Sequence, residues 1–190
     1  MIRAENKDRA LVADILTRSF DQNKSVNYII RQGKRRSERI RMLMEYSFDI
    51  CCQYGDVFLS EDKKACALLV FPDKKRTSFK SVVSDIQLAT ACIGLSNIKK
   101  ALDREAKIKK NHPKEPMYYL WFIGVDPEYQ NKGIGSSLLQ EIIKESITLQ
   151  RPLYLETSTP KNIPWYKKLG FAIYQELDLG YTLFFLKKDL

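Results

Sequence analysis

The sequence predicts an α/β (α+β) chain built on one twisted, mixed, mostly antiparallel sheet of about seven strands flanked by helices. Three observations carry this expectation. Apolar spacing switches between the helical and strand periods in the order β-αα-ββ-αα-β-α-β-α-β-β. Two β-rich runs joined by four polar residues read as an antiparallel hairpin. In the second part a strand, an amphipathic helix and a further strand form a βαβ unit, which sets those two strands parallel. With 190 residues, 44% hydrophobic and 29% charged, the chain has material for one core, and 1–190 reads as a single domain.

Between Asp8 and Phe20, apolar Leu11, Val12, Ile15, Leu16 and Phe20 recur at helical spacing, and Asp21, Gln22 and Asn23 close the segment. Ser37 to Gln53 repeats the pattern, with Ile40, Leu43, Met44, Ser47, Phe48 and Cys51 on one stripe. Strands are expected from Asp56 to Ser60 and from Ala65 to Phe71, linked by Glu61-Asp62-Lys63-Lys64 and ended by Pro72. Ser78 to Lys110 reads as helix in two pieces, broken near Gly94 to Asn97, the second strongly basic. Asn111 to Pro116 is a loop because Pro113 and Pro116 bar regular helix, and His112 within it is expected to be solvated.

Tyr118 to Val125 is almost wholly apolar, as a central strand buried on both faces would be. A helix from Gly133 to Leu149 puts Ile134, Leu138, Leu139, Ile142, Ile143 and Ile147 on its core side. A strand at Leu153 to Thr157, a short helix at Asn162 to Leu169 stopped by Gly170, and strands at Phe171 to Leu177 and Tyr181 to Lys187 complete the order.

The 32 basic and 23 acidic residues leave a net charge of +9, all of it before residue 117, where 24 basic residues face 15 acidic ones. Such a surface draws polyanions: nucleic acid, an anionic membrane or a phosphorylated cofactor. Lys34-Arg35-Arg36, Arg39 and Arg41, with Lys107, Lys109 and Lys110, make a nucleic-acid-binding module the alternative reading, but no aromatic-rich RNA motif or helix-turn-helix pattern accompanies them. No stretch of about 20 apolar residues could cross a bilayer, and the first residues are charged where a signal peptide needs an apolar run. A cytoplasmic protein with no membrane partner is therefore expected. Cys51, Cys52, Cys66 and Cys92 lack CxxC spacing and His112 is the only histidine, so the thiols read as reduced and mostly buried and no metal is expected.

The most informative stretch runs from Val125 to Leu139, between the apolar strand and the amphipathic helix. Gly133 and Gly135 let the backbone come close to a ligand, and the free N–H groups of the first helical turn favour a pyrophosphate, with Lys132 adding a cation. A P-loop would need Gly-Lys-Ser/Thr, which is absent, and a dinucleotide fingerprint would need a third glycine where Leu138 stands. Gln130-Asn131-Lys132-Gly133-Ile134-Gly135 instead resembles the Gln/Arg-x-x-Gly-x-Gly/Ala signature of the GNAT superfamily of acetyl-CoA-dependent N-acetyltransferases. Val125-Asp126-Pro127, Leu138-Leu139 and the run from Asn162 through Trp165-Tyr166 to Gly170-Phe171 extend the likeness over residues 117 to 175, while the first 116 match in element order only. Leu155-Glu156-Thr157-Ser158, followed by Asn162 and Trp165-Tyr166, resembles the branch of puromycin and related small-molecule acetyltransferases.

The resemblance implies acetyl-CoA as cosubstrate without a metal, residues 1–116 on the acceptor side and 117–190 as the acetyl-CoA-binding core. Backbone amides of Gln130, Asn131, Lys132, Gly133, Ile134, Gly135 and Ser136 would hold the pyrophosphate. Backbone groups of Ile123, Gly124 and Val125 would pair with the pantetheine arm as with an added strand. A bulge at Gly124 would aim an N–H at the thioester oxygen; a glycine placed for close packing is the other reading. Tyr166 matches the family tyrosine that protonates the departing thiolate, a task suited to a phenol of ordinary pKa about 10. Asn162 would cap its helix, bind the cofactor arm, or both.

The acceptor amine has to lose a proton, for which Glu156 is the candidate base; a surface carboxylate beside a water path is the other reading. Tyr118, Tyr119 and Trp121 are core or pocket wall. The implied function is N-acetyl transfer by direct attack in a ternary complex; small amines and drugs, polyamines, amino acids and protein amino groups are all open as acceptors, with the branch likeness tilting toward a small molecule and the net charge of +9 against a polycation. A catalytically silent acetyl-CoA sensor is a further alternative.

Overall fold

The computed structural model describes residues 1–75 and 92–190. Along them run β1 (Ile2–Arg3), α1 (Arg9–Ser19), α2 (Lys24–Ile29), α3 (Arg36–Tyr54), β2 (Gly55–Leu59), β3 (Ala65–Val70) and α4 (Leu95–Asn111). Then come β4 (Tyr118–Val125), α5 (Ile134–Thr148), β5 (Leu153–Thr157), α6 (Ile163–Lys168), β6 (Ala172–Asp178) and β7 (Thr182–Lys188). The strands form one seven-stranded sheet in the order β1-β2-β3-β4-β5-β7-β6, antiparallel except for the β4/β5 pair. The first of the two helical pieces expected after Ser78 lies outside the described residues. One element goes beyond expectation: the six-residue α2, whose start is fixed by Asn23 accepting a hydrogen bond from the Val26 amide at 3.0 Å.

Helices cover both faces of the sheet. On one, Val12 and Leu16 of α1 and Ile40 and Phe48 of α3 bury themselves against Val57, Leu68 and Phe122. On the other, Leu138, Leu139 and Ile142 of α5 meet Ala67, Leu120 and Leu155. A smaller cluster joins Ile108 of α4 to Leu183 and Phe185 of β7. Each large apolar side chain buried in this way contributes about 1.5–3 kcal/mol.

β4 is not uniformly buried; it alternates buried with half-buried residues. Its register against β3 slips between Leu69↔Leu120 and Leu68↔Phe122, which leaves Trp121 as the extra residue of a bulge. Trp121 and Phe122 consequently both pack on the α1/α3 face, with ring centroids 5.5 Å apart. The bulge expected at Gly124 thus lies three residues earlier. Gly124 itself pairs in register with Cys66. Its glycine is required by packing, since a β-carbon there would stand 2.5 Å from Ser19 Oγ and 2.8 Å from Leu16 Cδ2 of α1. Beside the bulge the parallel strands part: β4 pairs with β5 only at Tyr118↔Leu153 and Tyr119↔Tyr154.

Candidate active site

The gap where β4 and β5 part is flanked by a loop at its carboxyl end and by polar side chains on both faces. In the loop, Asp126 accepts from the Glu128 amide at 3.2 Å and from the Arg18 guanidinium at 2.8 Å, and its own amide donates to Lys64 O at 2.8 Å. Gln130 Nε2 reaches back to Val125 O at 3.2 Å. Asn131 and Gly133, with φ of +62° and +82°, then turn the chain into α5.

The two glycines of the motif do different work. Gly133 supplies the left-handed φ, and a β-carbon there would meet nothing within 4 Å, so the space above it is open. A β-carbon at Gly135 would lie 3.0 Å from Val125 Cγ2, so this glycine sets the close approach of α5 to β4.

The Ser137 amide donates to Gly133 O at 2.9 Å, the first bond of the helix, which leaves the amides of Ile134, Gly135 and Ser136 as the free donors of its opening turn. These orphan donors sit at the positive end of a 15-residue helix. Lys64 and Lys132 bring their ammonium groups 4.3 and 4.8 Å from the Tyr129 ring centroid, adding two cations beside the loop. The loop therefore has the donors, the field and the clearance that a pyrophosphate requires. The β4 edge carrying Ile123, Gly124 and Val125 faces the gap without pairing to β5, as an edge open to an extended ligand would.

On the α5/α6 face stands Tyr166, 5% exposed, between Trp165 and Phe171 with centroids at 4.6 and 5.7 Å. Its hydroxyl takes no partner among the described residues, and burial pushes its pKa up, so it holds its proton through neutral pH. Trp165 Nε1 donates to Ser136 Oγ at 2.8 Å and ties this helix to the start of α5. Asn162 occupies the residue before α6, but its backbone is already helical (φ −87°, ψ −14°) and its side chain caps nothing. The capping role is therefore corrected: a 3-10 turn over Pro160–Asn162 runs straight into α6, and the amide side chain is left for other partners.

Glu156 points to the opposite face of β5. It stands across from Phe185, within reach of the cluster that α4 covers. Its Oε1 lies 2.6 Å from His112 Nε2, and its Oε2 accepts from the Tyr119 hydroxyl. The His112 and Glu156 side chains are 16% and 8% exposed, so the expectation of a solvated histidine is overturned. The cause is α4: buried Ile108 docks the helix on the sheet, and the C-cap residue His112 is carried onto Tyr119 and Phe185, with ring centroids at 5.2 and 6.4 Å. Burial and the neighbouring carboxylate push the Tyr119 phenol up and keep it a donor.

The other two aromatics of the strand part company with Tyr119. Tyr118 is core, stacked on Phe71 and donating to Asp56 Oδ2 at 2.8 Å, while Trp121 packs edge-on to Tyr46. Further along α4, Arg104 bonds the Tyr181 hydroxyl at 3.1 Å and the Ser25 hydroxyl. His112, expected in solvent, and Tyr119, expected as core or pocket wall, thus both meet Glu156, while Arg104 lies further along the same helix. Only Tyr119 had a readable signal: parallel pairing and the two-residue strand period put it on the same face as Glu156.

Among the described residues no group of three or more His, Cys, Asp or Glu could hold a metal, and no helix is long and apolar enough to cross a membrane.

A sequence profile of the acetyltransferase (GNAT) family matches residues 54–171. A crystal structure of histone acetyltransferase HPA2 and related acetyltransferase from Corynebacterium glutamicum superposes with a TM-score of 0.75 at 20% identity, covering 99% of this chain and 94% of that one. A mosquito arylalkylamine N-acetyltransferase like 5b superposes with a TM-score of 0.57 at 17% identity, over 99% and 98% of the two chains. Among curated sequences, a probable serine/threonine-protein kinase of Dictyostelium discoideum is 34% identical over 80 residues, 42% of this chain. This chain spans 8% of the length of that relative.

Proposed function

The chain belongs to the acetyltransferase (GNAT) family, and from that premise we propose that it moves the acetyl group of acetyl-CoA to the amine of a small molecule in the cytoplasm, by direct attack in a ternary complex. The observation that carries this reading is the placement of Glu156 and Tyr166 on opposite faces of β5, beside the gap between the parted strands. A base on the acceptor side and an acid on the thiol side are what a one-step transfer needs. The Leu155-Glu156-Thr157-Ser158 run with Asn162 and Trp165-Tyr166, which resembles the puromycin acetyltransferase-like branch, supports a small acceptor.

In this reading the backbone N–H groups of residues 130–136 hold the pyrophosphate, with Lys132 beside them. The open edge at Ile123, Gly124 and Val125 aligns the pantetheine arm, with Asn162 contributing its free amide. Glu156, oriented by His112 and Tyr119, takes the proton from the amine nitrogen as that nitrogen bonds to the acetyl carbonyl carbon. Tyr166 gives its proton to the sulfur as the carbon–sulfur bond breaks; the cycle closes when Glu156 releases its proton to solvent and the Tyr166 phenolate takes one back. The unpaired peptide edge of β4 stabilises the carbonyl oxygen as charge develops there.

The nucleic-acid alternative loses support because much of the basic run is already neutralised: Arg35 pairs with Glu38, Arg36 with Asp21, and Arg41 with Asp14 and Glu45.

Calorimetric titration with acetyl-CoA, followed by thiol release over an amine panel, tests the reading. Tyr166→Phe is expected to lower kcat by about 10²–10⁴-fold while leaving cofactor affinity within about twofold. Absence of acetyl-CoA binding by the wild type would discard the transferase reading.

A further inference from the structure

α4 ends on the candidate base, and its preceding turns line a second feature. Between α4, α2 and the turn joining β6 to β7 lies an open cavity of about 330 Å³. Lys99, Lys100, Arg104 and Lys107 line it, against a single carboxylate, Asp103. Its apolar wall is Leu179 and Tyr28, with the Lys100 ammonium 3.7 Å from the Tyr28 ring centroid.

What sets this group apart from the paired arginines of the chain is four cations gathered on one cavity without an ion pair among the described residues. Arg3, Arg9, Arg18, Arg36, Arg41 and Arg151 each pair with a carboxylate. Arg104, half-buried, meets only the neutral hydroxyls of Tyr181 and Ser25, and among the described residues none of the four cavity cations makes an ion pair. A cavity that concentrates unneutralised positive charge selects an anionic ligand group.

Its place relative to the site is also defined. Arg104 and His112 are eight residues apart on α4 and its cap, a separation of about 12 Å at the helical rise. His112 Nε2 in turn lies 2.6 Å from Glu156 Oε1, so the helix that carries the cavity cations ends on the candidate base. α4 therefore carries both the cavity cations and the residue that meets the base.

We propose that this cavity binds an oxyanionic group, a carboxylate or a phosphate, carried by the acceptor, so that the amine presented to Glu156 belongs to an anionic or zwitterionic small molecule. The inference rests on the transferase reading and names the substrate class within it. Arg104 and Lys100 bind the oxyanion, Lys99 and Lys107 supply long-range attraction, and Tyr28 and Leu179 cover the carbon chain linking the two ends.

The test compares primary amines of matched chain length that end in a methyl, a carboxylate, a phosphate or a second amine, with saturating acetyl-CoA at low and at high salt. Acceptors with an anionic end are expected to exceed the methyl-ended ones at least tenfold in kcat/KM, and this ratio shrinks in high salt. Comparing the carboxylate and phosphate arms identifies which oxyanion is preferred. Lys100→Glu, at an exposed position, and Arg104→Gln should each drive the ratio toward one, mainly through KM. Lys100→Glu keeps the test valid where loss of the Ser25 and Tyr181 bonds would unsettle the fold.

Equal or better turnover of neutral or diamine acceptors, turnover of none of the panel by a chain that binds acetyl-CoA, or ratios unmoved by both substitutions would each overturn the inference. Those results leave the cofactor reading standing, whereas absence of acetyl-CoA binding removes both.

Discussion

Glu156 owes its setting to two neighbours from different elements: Tyr119 from the adjacent strand and His112 from the cap of α4. A carboxylate this enclosed is costly unless its oxygens are occupied, and here each oxygen has one partner. In the proposed transfer His112 is a positioning residue, with its effect on the reaction passing through Glu156. Glu156→Gln is expected to lower kcat/KM by about 10²–10⁴-fold, the range of a lost general base. His112→Ala should lower it by about 10-fold in the wild-type background, yet by less than about twofold when Glu156 is already glutamine. A steady-state double-mutant cycle reads this directly. Additive losses would show that His112 acts independently of the carboxylate.

The gap in the sheet depends on how β4 packs as an element. Downstream of the bulge its alternation is reset, so that Ile123 and Val125 turn toward α5 while Gly124 faces α1. Gly124→Ala would push a β-carbon onto Leu16 and onto a Ser19 hydroxyl already committed to Ile15 O at 2.6 Å. Such overpacking is expected to cost about 1–3 kcal/mol. Gly135→Ala, tight only against a Val125 methyl at 3.0 Å, should cost less. Urea titration checks the order through the midpoints, with the slopes unchanged.

This element also marks how far the sequence could be read. The bounds of β4 and β5 follow from apolar runs closed by polar and proline-bearing segments, and the parallel pairing follows from the intervening helix. The bulge at Trp121 could not be read, because every residue from Leu120 to Ile123 is apolar and suits either face. Gly124 was visible as an interruption of the strand, but its cause lies in a helix more than 100 residues away in the chain. The loop of orphan amides was legible as a glycine-rich start to a helix. The histidine beside Glu156 was not, since its orientation depends on how α4 docks.

Among the described residues the buried thiols and phenols bear in one direction on the stability of the whole molecule. Burial pushes up the thiols of Cys51, Cys66 and Cys92 and the phenols of Tyr118, Tyr119 and Tyr166, with Cys92 reaching about 12. In the unfolded chain thiols ionise near about 8.5 and phenols near about 10. Between those values and the raised folded ones, the unfolded chain has released protons that the native chain retains, so stability falls as pH rises. At pH 10 each deeply buried thiol removes about 2 kcal/mol by this linkage. Three such thiols then rival the roughly 5–15 kcal/mol that holds an ordinary domain together. The melting temperature is therefore expected to hold between pH 7 and 8 and to drop steeply above pH 9. Cys66→Ala should soften that drop, because the thiol removed is buried against the backbone of α1 and faces no cation. Thermal melts of both chains from pH 7 to 10.5 decide the matter: a flat profile, or equal slopes for the two chains, would mean that the buried thiols do not govern alkaline unfolding.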